Sequence, residues 1–433
     1  NTLSGDNTGD LFTLTASNGG TLAITNGTTL AATFTGMQNL AGNSGSGADT
    51  FDLGSGSLSG NITGGGGTNT LIGGNGANSW TVTGTDTGTL TGVGGTFSAI
   101  ENLTGGTGND DFVFDNGATV SGVVDGGAGG VNTLDFTAYT TAMAVSLTGS
   151  NAFGASGTTS GSPNPIGGSF AEITAIDLPA LANTLNLNAV SSTVLINSSA
   201  ATNLFNLTVE QSGVPNLTFG NVSVVNGGTG VVNTLESAEA STNTWTITGP
   251  NSGTYNDSQS LTFSHFADLV GGSGNDNFIF SGGSVASLAG GGGSNTLTGD
   301  NAGDLFTINA ANGGQLTSGA TTLVGAFSGI QNLTGGSGND TFAFATGGSV
   351  SGTVNGGAGT NTLDYSGDTG AVAVNLTNDS ASLIQGGTAN GFSNIQALTG
   401  NGANTTLTGP GGVHTWNITG ADQGNLDTNV FTF

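Results

Sequence analysis

GGSGNDTFAF, Gly335 to Phe344, is followed one short interval later by GGAGTNTLDY, Gly356 to Tyr365. Both follow one frame, G-G-x-G-x-[N/D]-x-[F/L], in which a glycine-rich corner delivers a single Asp or Asn and then an apolar strand. Asp340 and Asn361 lie 21 residues apart. The pairing recurs at Asp49 and Asn69, Asp110 and Asn132, and Asp276 and Asn295, with separations of 20, 22 and 19. A corner that returns about every 20 residues with the same chemistry is what a coiled solenoid writes into its sequence. The expected fold is therefore all-β: a parallel β-helix of about 21 residues per coil and roughly 20 coils, forming one continuous domain over 1–433. Stacked at the ~4.8 Å strand spacing, such coils give a rod on the order of 100 Å long.

Composition narrows the class. Of 433 residues 83 are Gly and only 6 are Pro, with no G-X-Y period, which excludes collagen. Charged residues are 6% of the chain, and the 34% apolar content falls in strand-like clusters, enough for a thin core. Lys and Arg are absent, and 27 Asp and Glu give a formal charge of -27. A surface without cations cannot grip phosphate backbones or anionic head groups, so nucleic acid and membrane partners are not expected. Cysteine is absent too, so disulfides contribute nothing. No run approaches the ~18 apolar residues of a membrane helix, and membrane insertion is not expected. The chain opens on an Asn-Thr-Leu landmark and stops partway through a unit, so it reads as part of a longer repeat protein.

Residues 1–53 return almost residue for residue at 295–344, and units are expected near 1–68, 69–131, 132–232, 233–294, 295–360 and 361–433. The third is degenerate and carries an insertion at 155–169, rich in Gly, Ser and Pro, that reads as a loop thrown out from a corner. Short strands are expected at Trp80 to Thr83, Phe112 to Phe114, Val120 to Val124, Thr244 to Thr248, Phe278 to Phe280 and Val372 to Leu376. Phe12, Trp80, Trp245, Phe306 and Trp416 hold equivalent places in the repeats. Their burial in the core is expected, since a carbohydrate platform would need exposed rings.

The phrase GGxGNDxF, clean at Gly105 to Phe112, Gly271 to Phe278 and Gly335 to Phe342, resembles the nonapeptide repeat of the RTX calcium-binding proteins, G-G-x-G-x-D-x-U-x. That resemblance implies Ca²⁺ at Asp49, Asp110, Asp276 and Asp340. Here the corners come one per coil instead of in immediate tandem, and the next corner offers Asn69, Asn132, Asn295 or Asn361. The other reading is an Asn/Asp ladder that closes turns and satisfies backbone donors. His265 and His414 have no His or Cys neighbour in sequence to make a metal site. Catalysis is not expected: lyases acting on acidic sugars need Lys or Arg, and the adjacent acids Asp110 and Asp111 face opposite sides of a strand.

Taken whole, the chain resembles the stalks of giant bacterial surface adhesins of the RTX and filamentous-haemagglutinin type. The resemblance implies secretion, a β-solenoid and a place at the bacterial cell surface or in the extracellular matrix. The expected function is structural, a spacer or matrix filament that associates with copies of itself, end to end or side by side. The alternative is a Ca²⁺-stabilised adhesin or S-layer repeat region binding glycan or another surface.

Overall fold

The computed structural model describes residues 1–24, 28–201, 204–386, 391–402, 404–427 and 430–433. Among these residues every regular element is a β-strand. The strands are short because Gly-rich corners interrupt them, and they alternate because each has one buried face. In Asp110–Phe114, for example, Asp110, Phe112 and Phe114 point inward and Asp111 and Val113 outward. The chain forms two compact units, 1–194 with 198–231, and 195–197 with 232–433.

In the first unit the parallel register runs Phe12↔Phe51↔Leu71↔Leu103↔Val124↔Phe170, and a second column runs Trp80↔Phe112↔Leu134↔Ile176↔Phe219. In the second unit the columns are Trp245↔Phe278↔Leu297↔Leu333↔Val354↔Phe392 and Phe306↔Phe342↔Leu363↔Leu398. All of these side chains are buried. Each core is thus a pile of like on like, and each rung is fixed by the backbone bonds of its parallel neighbours. The sheets are long and mixed, an arrangement compatible with a β-solenoid.

The steps along the columns come in two lengths where the sequence suggested one. Corner residues joined by a short step are 19 to 22 apart. Asp10 to Asp49, Asn78 to Asp110 and Asp304 to Asp340 are 39, 32 and 36 apart. The longer steps contain an antiparallel meander, as in Asp304–Ala310, Gly313–Ser318 and Thr321–Ser328. Its first strand pairs in parallel with the next coil, Phe306↔Phe342, and its third with the coil before, Phe327↔Leu288, so the coil lengthens without breaking the register.

In five meanders the first turn has two residues, the second in left-handed conformation: Asn18, Asp86, Asn251, Asn312 and Asp422, with φ between 53° and 56°. Asn and Asp are the side-chain-bearing residues that tolerate this geometry best. The same residue then reaches the next coil. Ser59, Ser121 and Ser351 donate their backbone N–H to Asn18, Asp86 and Asn312 at 2.8, 2.7 and 2.8 Å.

Two sequence expectations need correction. The supposed loop at 155–169 is a strand in its first part: Gly154–Ser160 is the middle strand of a meander, paired with both Ala144–Asn151 and Phe170–Ile173, and only 161–169 form the connecting loop. Its Ser, Thr and Gly composition hides an alternating strand in which Ala155 and Thr159 turn inward. Val120 to Val124 is not one strand either. Val120 makes an isolated bridge to Ile166, and pairing resumes only at Val124–Asp125, with Ser121 and Gly122 forming a corner between them.

Candidate functional site

The residues singled out as ligands come together as a ladder running through the corners. Asp49, Asp110, Asp276, Asp340, Asn69, Asn132, Asn295 and Asn361 are all at most 2% exposed. Each Asp takes the backbone N–H of the rung before it: Asp10 on Asp49 and Asp304 on Asp340, both at 2.8 Å, and Asn78 on Asp110 at 2.9 Å. Asn243 bonds Asp276 in the same way, through backbone and side chain. Each Asp then donates its own N–H to the Oδ1 of the following Asn, at 3.0 Å for Asp49 to Asn69, 3.1 Å for Asp110 to Asn132, 2.8 Å for Asp276 to Asn295 and 2.9 Å for Asp340 to Asn361.

The alternation of acid and amide has a local cause. The Nδ2 of the Asn faces a carbonyl of the next coil: Ala99 for Asn69 at 3.1 Å, Glu172 for Asn132 at 2.9 Å, Gly329 for Asn295 at 3.0 Å and Asn394 for Asn361 at 3.0 Å. Those four carbonyl residues have positive φ, so each corner turns a bare acceptor toward the rung below. Only a donor fits there, and Asn supplies one where Asp cannot.

The ladder ends on residues that sequence reading missed. Glu101, Gln331 and Gln396 accept the backbone N–H of Asn69, Asn295 and Asn361 at 2.6, 2.7 and 2.8 Å, and Thr174 accepts that of Asn132 at 3.0 Å. A recurring phrase marks three of them, Ile-Glu/Gln-x-Leu at 100–103, 330–333 and 395–398. The upper rungs Asp10, Asn78, Asn243 and Asp304 were missed too, although each stands two residues ahead of Phe12, Trp80, Trp245 or Phe306.

The double glycine of the corner divides two tasks. A Cβ on Gly335 would collide with Asp340 Oδ2 and with the carbonyl of Gly356, so the carboxylate folds back over a bare Cα. Gly336 has a φ of 139°, open only to glycine.

Burial raises the pKa values of the carboxyls along the ladder. It lifts Asp10, Asp49, Asp110 and Asp340 above the ordinary carboxylate value. Asp276 is pushed up to about 6 by burial, against the bonds it accepts from Asn243 and Gly272. Asp304 is pushed up to about 7, first by burial and then by the charges of Asp300 and Asp340.

Calcium gathers six to eight oxygens, and the corners do not offer that set. Asp110 faces the Nδ2 of Asn78 at 2.6 Å, a donor at the place a cation would need. Asp276 has a side-chain bond from Asn243. In all four stacks a carboxylate oxygen is already taken by a backbone N–H. Among the described residues no group of three or more His, Asp or Glu is placed to share a metal ion.

The aromatic set divides. Phe12, Trp80, Trp245 and Phe306 are fully buried and stack on Phe51, Phe112, Phe278 and Phe342, with ring centroids 4.9, 5.4, 5.8 and 4.8 Å apart. Trp416 is 42% exposed and meets the ring of Phe433 edge to face instead of stacking on a parallel ring. No Asp-x-Phe corner follows it in residues 417–433 to supply the parallel ring. His414 pairs with Asp427 at 2.5 Å, and His265 meets the hydroxyl of Ser264 at 3.0 Å.

Comparison with protein-family models, with curated proteins and with solved structures finds no match to this chain.

Proposed function

We propose that the chain is a spacer segment of a secreted bacterial fibre, a parallel β-helix whose work is reach and cohesion. The observation that carries this reading is the direction of its recurring polar side chains. Asp, Asn, Glu and Gln of the corners bond the backbone of the neighbouring coil in both units. Side chains that elsewhere bind or catalyse here join one coil to the next. A stack held this way extends by adding coils, and its open strand edges favour association with further copies of itself.

The test is electron microscopy of the purified chain with and without EDTA. The proposal expects elongated particles and end-to-end or lateral assemblies that survive the chelator. Compact particles in both conditions would overturn it.

A further inference from the structure

The corner stacks are not alike in their upper rung. Two of them, Asn78–Asp110–Asn132 and Asn243–Asp276–Asn295, place an amide above the central acid. The other two, Asp10–Asp49–Asn69 and Asp304–Asp340–Asn361, place an acid above an acid. In the first kind the role of the amide is explicit. Asn78 Nδ2 sits among oxygens, bonding Gly74 O and Gly76 O at 2.9 Å, Gly105 O at 3.1 Å and Asp110 Oδ1 at 2.6 Å. Asp304 stands at the same position of its repeat and brings no N–H of its own side chain. It is 2% exposed, and neither carboxyl oxygen has a hydrogen-bond partner of ordinary geometry, although the Ser318 hydroxyl and the Asp300 backbone N–H lie near enough to lower its pKa; one oxygen is likewise unpartnered in Asp340 and Asp10, and in Asp110 and Asp276 of the amide-topped stacks, so that Asp304 alone leaves both unpaired.

An oxygen set built around a donor needs a donor. Lys and Arg are absent from the chain. The charged groups facing Asp304 are Asp300 and Asp340, both acids. The strands flanking it, Gly313–Ser318 and Thr341–Ala345, hold no titratable side chain. Asp10 likewise faces Asp6 and Asp49.

We infer that Asp304–Asp340 and Asp10–Asp49 are proton-binding rungs: each pair shares one proton from solvent, and that proton does the work of the Asn78 amide. The two corners therefore tighten as the medium acidifies, whereas the amide-topped corners carry their donor at every pH. The sign follows from the upward displacement of Asp304, from 3.8 to about 7. A carboxyl that holds its proton more firmly when folded stabilises the fold fully below pH ~4 and loses that contribution as pH rises through ~7.

The test is native-state hydrogen exchange at the amides of Asp304 and Asp340, expressed as protection relative to the unstructured chain, from pH 5 to pH 8. Protection should fall by up to about tenfold per pH unit as the shared proton leaves. The fall at Asn78 and Asp110 should be smaller. Asp304→Asn, which copies the sister stacks, should flatten the profile and keep protection high at pH 8. The reciprocal Asn78→Asp should install a pH-dependent fall at Asp110, so a variant that fails to fold does not remove the test. An unchanged wild-type profile in Asp304→Asn, or no new dependence in Asn78→Asp, would overturn the inference. Recovery of wild-type protection at pH 8 on adding Ca²⁺, reversed by EDTA, would also overturn it by making a metal ion the donor's substitute.

Discussion

A bare Cα, five residues ahead of Asp110, Asp276 and Asp340 and seven ahead of Asp49, makes the corner possible. Gly336 serves the positive φ that glycine alone takes readily, but Gly335 is there for space. Composition and spacing do not separate the two needs, because both select glycine. The distinction is testable with Gly335→Ala, whose methyl group would meet a rigid carbonyl and the carboxyl of Asp340. The expected cost is about 1–3 kcal/mol, the usual range for overpacking, read as reduced hydrogen-exchange protection at Asp340 and Asn361. Wild-type protection would mean that the carboxyl does not lie over that glycine. The identity of the corner residues was legible in the sequence, as was their return every 19 to 22 residues. Their partners were not, because Glu101, Gln331 and Gln396 lie 32, 36 and 35 residues away from the Asn they cap.

The meander is the element that periodicity concealed. Its strands alternate like those of the short coils, so a search for the period of the corners passes over it. The signal lay in the turns: Asn18 and Asn312 each precede a glycine between alternating runs, a short-range hairpin mark. Asn312 both holds the left-handed turn and bonds Ser351 of the next coil. Asn312→Ala should cost about 1–2 kcal/mol, the scale of forcing left-handed geometry on alanine, and should expose the Ser351 amide to exchange. Asn312→Gly keeps the turn and loses only the side-chain bond, so it should cost less. Equal losses in the two variants would assign the whole effect to the bond. The aromatic first strand is the other anchor. Trp245 stacks on Phe278 and meets Tyr255 edge-on at 4.7 Å, so Trp245→Ala should cost about 3–5 kcal/mol. Urea denaturation followed by tyrosine fluorescence checks this, and a loss under 1 kcal/mol would contradict the stacked core.

At the scale of the molecule, both units follow one rule, in which corner side chains bond the neighbouring backbone and aromatic rings pile on their counterparts. The all-β class and four of the five aromatic positions could be read from the repeats, because burying like on like leaves a period in the sequence. Trp416 could not, since its exposure depends on whether a following coil is there to cover it. The central claim is that residues one corner apart are nearest neighbours in space. With no cysteine in the chain, thiols can be placed at will. Thr341 and Thr362 are in register on adjacent parallel strands, and Ala397 lies one strand beyond Thr362. Dibromobimane, which fluoresces when it bridges two nearby thiols, should label the double variant Thr341→Cys with Thr362→Cys strongly, and Thr341→Cys with Ala397→Cys hardly at all. Equal labelling of the two pairs, or none of the first, would contradict the stacked-corner account.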